Sequence, residues 1–210
     1  MCGIVGYIGN KDVHTVILVG LEKLEYRGYD SAGIAIITDD GELFLRKKAG
    51  RYKDLYKLLD NNAILGKIGI GHTRWATHGK VNDENAHPMV DCKNKIALVH
   101  NGIIENYQEL KKSLIQKGHK FASETDTEVI VHLIEEFYNE DKSLIKAVIK
   151  TVNKLKGSFA LGIISVYEPD KIIGVRKDSP LLVGIGENEM VLASDLVPIV
   201  SITKNIIEME

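Results

Sequence analysis

Apolar and polar positions change period several times along the chain, and each change marks an element. Residues 3–9, "GIVGYIG", form an apolar run of strand length. From Val13 to Leu24, residues Val13, Val16, Ile17, Leu21 and Leu24 fall at helical spacing, and Asp12 stands where an N-cap belongs. Two strand-like runs, 32–38 and 43–50, flank "DDG", which predicts a hairpin. A short helix around 52–60 precedes a strand at 67–72. Residues 73–88 are polar and aperiodic, and a loop of that length inside a compact domain is usually functional or disordered. A strand at 95–100 and a helix over 105–116 follow, with Gly118 as the C-cap. Two apolar stripes, Val129 to Phe137 and Leu144 to Leu155, predict two more helices. The last third reads as strands throughout: "SFALGIISV", "KIIGVRK", "LLVGIG", "MVLAS" and "NIIEM".

Several of these strands are continuously apolar, so both of their faces are expected to be covered. Helices fall between groups of strands and do not follow each strand in turn. That order argues against a doubly wound parallel sheet. It predicts an α+β fold of two stacked sheets with helices outside, a four-layer α/β/β/α sandwich.

Composition narrows the class. The chain has 210 residues, is 44% hydrophobic and 27% charged, and carries a formal net charge of -2. It reads as one globular domain, residues 1–210. The near-zero charge leaves no electrostatic footprint for nucleic acid or an anionic membrane. No apolar run approaches the roughly 18–20 residues of a membrane span, and the N-terminus lacks the basic region of a signal peptide. Two cysteines, Cys2 and Cys92, make no disulfide framework, so a reduced, cytoplasmic setting is expected.

Five stretches carry candidate chemistry. In "MCGIVG", removal of Met1 would leave a thiol and an α-amine on Cys2. The thiolate is the reactive form, and an amine of pKa about 7.7–8 can take its proton. A small residue opening a strand is the plainer reading. "LEYRGYDSAG" places Arg27, Asp30 and Ser31 between helix and strand, a turn with a surface ion pair being the alternative. In "HTRWATHG", Arg74, Thr77 and His78 suit a carboxylate, and Trp75, the only tryptophan, suits a cover that excludes water. A loop stapled by one buried tryptophan explains the same residues. In "HNGIIEN", the Asn101 amide and the Gly102 backbone N–H make a two-donor oxyanion pocket, or else an ordinary Asn-Gly turn. In "SETDTE", Asp126 either binds an ammonium or belongs to a helix start that Ser123 or Thr125 caps. His72, His78, His87, Cys92 and His100 lie in one region, but their spacing matches no compact zinc pattern, and no metal is expected.

Taken together these groups describe a substrate with a carboxylate, an ammonium and an acyl carbon, as in an α-amino acid with a side-chain amide. The combination resembles the class II glutamine amidotransferases of the N-terminal-nucleophile hydrolases, a superfamily of mainly antiparallel four-layer α/β/β/α sandwiches. "LEYRGYDSAG", "HTRWATHG", "NAHP", "VHNGIIEN", "SETDTE", "SPLLVGIG" and "LASD" resemble most the glutaminase domains of the isomerising glutamine:fructose-6-phosphate aminotransferases. The resemblance implies that Cys2 attacks glutamine, that Asn101 and Gly102 stabilise the oxyanion, and that Arg74, Thr77 and His78 hold the carboxylate. It further implies that Asp126 holds the ammonium, that the Trp75 loop closes over L-glutamine, and that Arg27 supports the N-terminal cysteine. It implies no cofactor. C-terminal isomerase domains that bind fructose 6-phosphate follow in the family and are not in this chain, and the intact enzyme is expected to be a homo-oligomer. A glutaminase domain of another class II amidotransferase, such as phosphoribosyl-pyrophosphate amidotransferase, and a catalytically silent module of the same fold are the alternatives.

Overall fold

The glycine-spaced run behind Cys2 forms strand β1 (Gly3–Ile8) in the computed structural model of the chain, which describes residues 2–59, 64–76 and 79–209. Its side chains alternate between two cores. Val5 and Tyr7 pack toward helices, while Ile4 and Ile8 pack toward a second sheet. Helix α1 (Val13–Leu24) starts where Asp12 accepts a hydrogen bond from the Thr15 N–H at 3.2 Å. Its stripe of Val13, Ile17, Leu18, Leu21 and Leu24 is buried. The predicted hairpin is β2 (Ser31–Thr38) and β3 (Leu43–Ala49), with Gly41 at φ +83° in its turn. Helix α2 (Tyr52–Leu58) leads to β4 (Gly66–Arg74), which runs two residues further into the polar stretch than the sequence indicates.

A short strand β5 (Met89–Val90) pairs with β6 (Ile96–Ile104). Helices α3 (Tyr107–Gln116), α4 (Glu128–Asp141) and α5 (Leu144–Val152) follow, with Gly118 at φ +96° just past the end of α3. The last third contains β7 (Gly157–Ser165), β8 (Ile173–Lys177), β9 (Leu182–Ile185), β10 (Met190–Ala193) and β11 (Ile206–Glu208). It also contains a helix that the strand-only reading misses, α6 (Leu196–Val200), opened by Asp195 accepting from the Val197 N–H at 3.1 Å. Five residues are too few to show a period of 3.6.

Among the described residues the strands form two sheets, in order β11-β9-β10-β1-β4-β2-β3 and β5-β6-β7-β8, and every ladder between named strands is antiparallel. Three cores account for the layers. One packs α1, α2 and α6 on the first sheet. A middle core sets Ile4, Ile68 and Ile70 against Ala97, Val99, Ala160 and Ile164 of the second sheet. The third packs α3, α4 and α5 on the second sheet's outer face. This is the expected α/β/β/α sandwich, and it explains the continuously apolar strands, since β1, β4 and β6 are covered on both faces.

Register brings the candidate residues together. Gly3 pairs with Thr73 and Ser31 pairs with Arg74, so the start of β1 meets the ends of β4 and the start of β2. Asn101 and Gly102 lie within β6 of the facing sheet, opposite Ala160 and Phe159. They are strand residues, which removes the Asn-Gly turn alternative.

Candidate active site

Cys2 precedes β1 and is half-buried. The Trp75 N–H donates to its Sγ at 3.2 Å, and Sγ lies 3.4 Å from the Trp75 carbonyl oxygen. Burial pushes the thiol above its ordinary pKa, against the opposing pull of the Trp75 N–H and the Arg74 charge. A thiol so placed is protonated at neutral pH and needs a base to become a nucleophile. The glycine beside it is required by space: a Cβ on Gly3 would meet Thr73 Oγ1 at 2.7 Å and Leu24 Cβ at 2.8 Å.

The Cys2 carbonyl is held from two sides. Asn101 Nδ2 donates to it at 3.1 Å and Arg27 Nε at 3.3 Å. Arg27 is itself fixed by Asp195 at 2.5 Å, with Tyr26 donating to the same carboxylate at 2.6 Å. Arg27 therefore acts on the backbone of Cys2 and not as an exposed surface ion pair. Asp195, 168 residues away in sequence, is a partner the sequence reading did not single out.

His72 fixes the Asn101 amide. Its Nε2 lies 3.0 Å from both Asn101 Oδ1 and the His100 carbonyl oxygen, two acceptors, so Nε2 carries the proton. That assignment turns Asn101 Nδ2 toward Cys2. Behind it stand His87 and His100, each 2.9 Å from Thr127 Oγ1, and the His72 and His87 rings are 4.3 Å apart. Three of the histidines weighed as metal candidates thus form a buried hydrogen-bonded cluster behind the site.

Burial lowers the His72 pKa to about 3 and that of His87 well below its ordinary value. Both are neutral in the folded chain, and each ionises near pH 6.5 once unfolded. The unfolded chain therefore binds more protons between pH 6.5 and the lowered folded values, and stability falls as pH drops through that window. Carboxylates add to the loss further down, because hydrogen bonds outweigh burial at Glu128 and Glu135 and hold both at about 2, so their contribution fades below about pH 4.5. The expected result is a thermal midpoint that is lower at pH 4 than at pH 6.5 in a buffer series, with His132, which against its burial Glu128 and Glu135 hold above its ordinary pKa, opposing the fall near neutrality. A flat profile across that range would contradict a neutral His72 and His87.

Arg74, at the end of β4, is buried and donates to the Lys80 carbonyl at 3.3 Å. Trp75 is 44% exposed, with Tyr29 packed edge-on at 5.2 Å. It is not the buried staple of a structural loop. Asp30 organises this turn, donating its N–H to the Arg74 carbonyl at 3.0 Å and accepting from the Ala76 N–H at 2.9 Å. Thr77 and His78 lie outside the described residues. Asp126 is buried and accepts from the Ile104 N–H at 2.7 Å. It caps no helix: Thr127 stands at the N-cap of α4 without a side-chain cap bond. Ser123 and Thr125 do not cap α4 either. Glu128 gathers the Ala122 and Ser123 N–H groups at 2.8 and 2.7 Å and so shapes the loop that carries Asp126.

Cys2, Arg74, Trp75, Gly102 and Asp126 line one cleft, together with His87, His100, Thr125 and Thr127. The cleft is tight, with an open volume of about 20 Å³. It carries a thiol, a cation and an anion on its wall. A larger groove between α1 and α2 is lined by Asp12, His14, Tyr52 and Lys53 and has no cysteine in its lining.

The glutamine amidotransferase domain family matches residues 72–201, more than half of the chain, and the chain belongs to that family. Cys2 and Arg27 precede the matched segment. Within the family, the chain is 57% identical over its full length to glutamine–fructose-6-phosphate aminotransferase [isomerizing] of Aquifex aeolicus. It is 55% identical over 99% of its length to the protein of the same name from Thermococcus kodakarensis. It spans 35% and 34% of those two relatives, about a third of each. The fold is shared with glutamine phosphoribosylpyrophosphate amidotransferase from B. subtilis, at a TM-score of 0.84 and 29% identity over all of this chain and 45% of that one.

Proposed function

We propose that the chain hydrolyses L-glutamine to glutamate and ammonia, as the ammonia-supplying part of a glutamine:fructose-6-phosphate aminotransferase in amino-sugar synthesis. The observation that carries the proposal is the convergence of Cys2, Arg74, Gly102 and Asp126 on one cleft. The relatives at 55–57% identity support fructose 6-phosphate as the acceptor over phosphoribosyl pyrophosphate, whose enzyme matches at 29%. Because the chain spans about a third of those relatives, the acceptor is assigned to isomerase domains beyond it, in a cytoplasmic, homo-oligomeric enzyme.

The chemistry follows from the groups present. With Met1 removed, the α-amine of Cys2 takes the thiol proton, and Sγ bonds to the glutamine Cδ. The Asn101 amide and the Gly102 N–H stabilise the oxyanion, each donor of this kind being worth roughly 2.7–4 kcal/mol. The C–N bond breaks, and the proton on the amine leaves with ammonia. Water then attacks the thioester, with the same amine as base, and releases glutamate. Arg74, with Thr77 and His78, holds the α-carboxylate, and Asp126 holds the α-ammonium. Trp75, exposed and seated on Tyr29, covers the bound substrate.

Incubation with an electrophilic ketone analogue of glutamine, followed by intact-mass and peptide mass spectrometry, tests the reading. One adduct on Cys2 of a chain lacking Met1 is expected, suppressed by excess L-glutamine. Retention of Met1 in the active preparation, or labelling at Cys92 alone, would refute it.

A further inference from the structure

Cys92 is the second cysteine of the chain and has no part in the cleft. It sits just beyond β5, where Asp91 Oδ1 accepts from the Lys95 and Ile96 N–H groups and bends the chain into β6. Its Sγ lies 3.6 Å from His119 Nδ1 and 3.6 Å from His132 Nδ1. The two Nδ1 atoms are 3.3 Å apart. Glu135 Oε2 lies 3.2 Å from His119 Nδ1 and 3.5 Å from His132 Nδ1. All four atoms fall within 4.8 Å of one another.

Those five distances match edges of a particular solid. Zinc is bound tetrahedrally at about 2.0–2.1 Å from nitrogen, 2.3 Å from sulfur and 2.0–2.2 Å from a carboxylate oxygen. A tetrahedron with those arms has edges of about 3.3–3.4 Å between nitrogens, 3.5–3.6 Å from nitrogen to sulfur and 3.3–3.5 Å from nitrogen to oxygen. Five of the six edges lie within 0.1 Å of these ranges, and the sixth, from Cys92 Sγ to the Glu135 oxygen, lies within 4.8 Å where the tetrahedron has about 3.6 Å, so binding draws these two ligands together. Direct hydrogen bonding accounts for them less well, since two ring nitrogens facing each other can share only one proton.

The surroundings suit a cation. The far nitrogen of each ring faces a carboxylate, His119 Nε2 with Glu136 at 3.1 Å and His132 Nε2 with Glu128 at 3.5 Å. A carboxylate behind a ligating histidine fixes the ring and raises its basicity. Three carboxylates, Glu128, Glu135 and Glu136, thus surround two imidazoles, with Lys117 paired to Glu136. Phe121 packs edge-on to His132 at 4.6 Å and gives the cluster an apolar wall. His132 and Glu135 are buried and Cys92 is exposed, which leaves an entry side.

We propose that Cys92, His119, His132 and Glu135 form a structural Zn²⁺ site. Binding replaces the thiol proton, which is released to solvent, with a zinc–thiolate bond. Four protein ligands close the coordination shell, so the ion is structural and not a Lewis acid for substrate. It ties the β5–β6 connection, the segment after α3 and helix α4 into one unit. His132 then bears on Glu128, which shapes the loop holding Asp126. The proposal departs from the expectation of no metal, which weighed His72, His78, His87 and His100 with Cys92. His119 and His132, the partners in space, were not in that set.

The test uses the untagged 210-residue chain, stripped with a chelator and titrated with zinc chloride. One zinc per chain should survive desalting, by elemental mass spectrometry. A hundredfold excess over Kd should raise Tm by about 5–10 °C. Cobalt(II) in place of zinc should give the visible bands of a tetrahedral site and a thiolate charge-transfer band. Cys92→Ser should remove the charge-transfer band and weaken zinc binding at least about tenfold, and His119→Gln should weaken it similarly. Circular dichroism of both variants reports that they fold. Failure of the parent chain to retain zinc or to respond in Tm overturns the proposal. So does an unchanged zinc content and cobalt spectrum in folded Cys92→Ser.

Discussion

Cys2→Ala is expected to lose glutamine hydrolysis by about 10⁴-fold or more while keeping its fold. Removing the nucleophile of a hydrolase that acts by covalent catalysis costs up to about 10⁶ in rate, because the rest of the site has nothing to orient. The structural cost is small. The Cys2 side chain is half-buried just before β1, its Sγ contacts are weak hydrogen bonds to the Trp75 backbone, and its carbonyl, which Asn101 and Arg27 hold, survives the substitution. Tm should therefore stay within about 2 °C of the parent, corresponding to less than about 1 kcal/mol. Coupled-enzyme detection of glutamate gives the rate, and calorimetry gives the midpoint. Glutaminase turnover at the parent rate in a folded Cys2→Ala chain would remove the thioester mechanism. Loss of activity together with a collapsed midpoint would make Cys2 a packing residue instead.

The contrast between local and non-local features explains what the sequence reveals. Helix α1 was legible to both ends, because Asp12 caps it and its apolar stripe has one period throughout. The four layers were legible from continuously apolar strands, which only two covered faces explain. The cleft residues were legible as separate motifs, each with an ordinary alternative. What removes those alternatives is pairing between distant segments. Gly102 is a strand residue because β7 lies against it, and Asp126 is freed from a capping role because Thr127 and Glu128 occupy the helix start. Arg27 reaches Cys2 through a turn that Asp195 holds from the far end of the chain. Cys92 meets His119 and His132 only after α3 and α4 fold onto the β5–β6 edge. No spacing rule written along one strand or helix can anticipate these contacts.

Gly102→Ala should cost both the fold and the reaction. Its backbone sits at φ +126°, outside the regions open to residues with a Cβ. A Cβ built there would lie 2.1 Å from the Ser158 carbonyl oxygen and 2.8 Å from its carbon. Both obstacles are backbone of the paired strand β7, so no rotamer change relieves them, and the β6–β7 ladder must open at the centre of its sheet. A destabilisation of about 3 kcal/mol or more is expected, a Tm drop of roughly 6–12 °C for a domain of this size. Gly118→Ala supplies the control. It too has a positive φ, +96°, but nothing lies within 4 Å of its added Cβ. Its cost is the backbone conformation alone, about 1–2 kcal/mol, with no effect on turnover. If the two substitutions shift Tm equally, conformation explains Gly102 and the close approach of β7 does not. If Gly102→Ala loses far more, and loses kcat at temperatures where it is still folded, the glycine is needed for two separate reasons. It lets two strands meet, and on the proposed mechanism its N–H donates to the oxyanion.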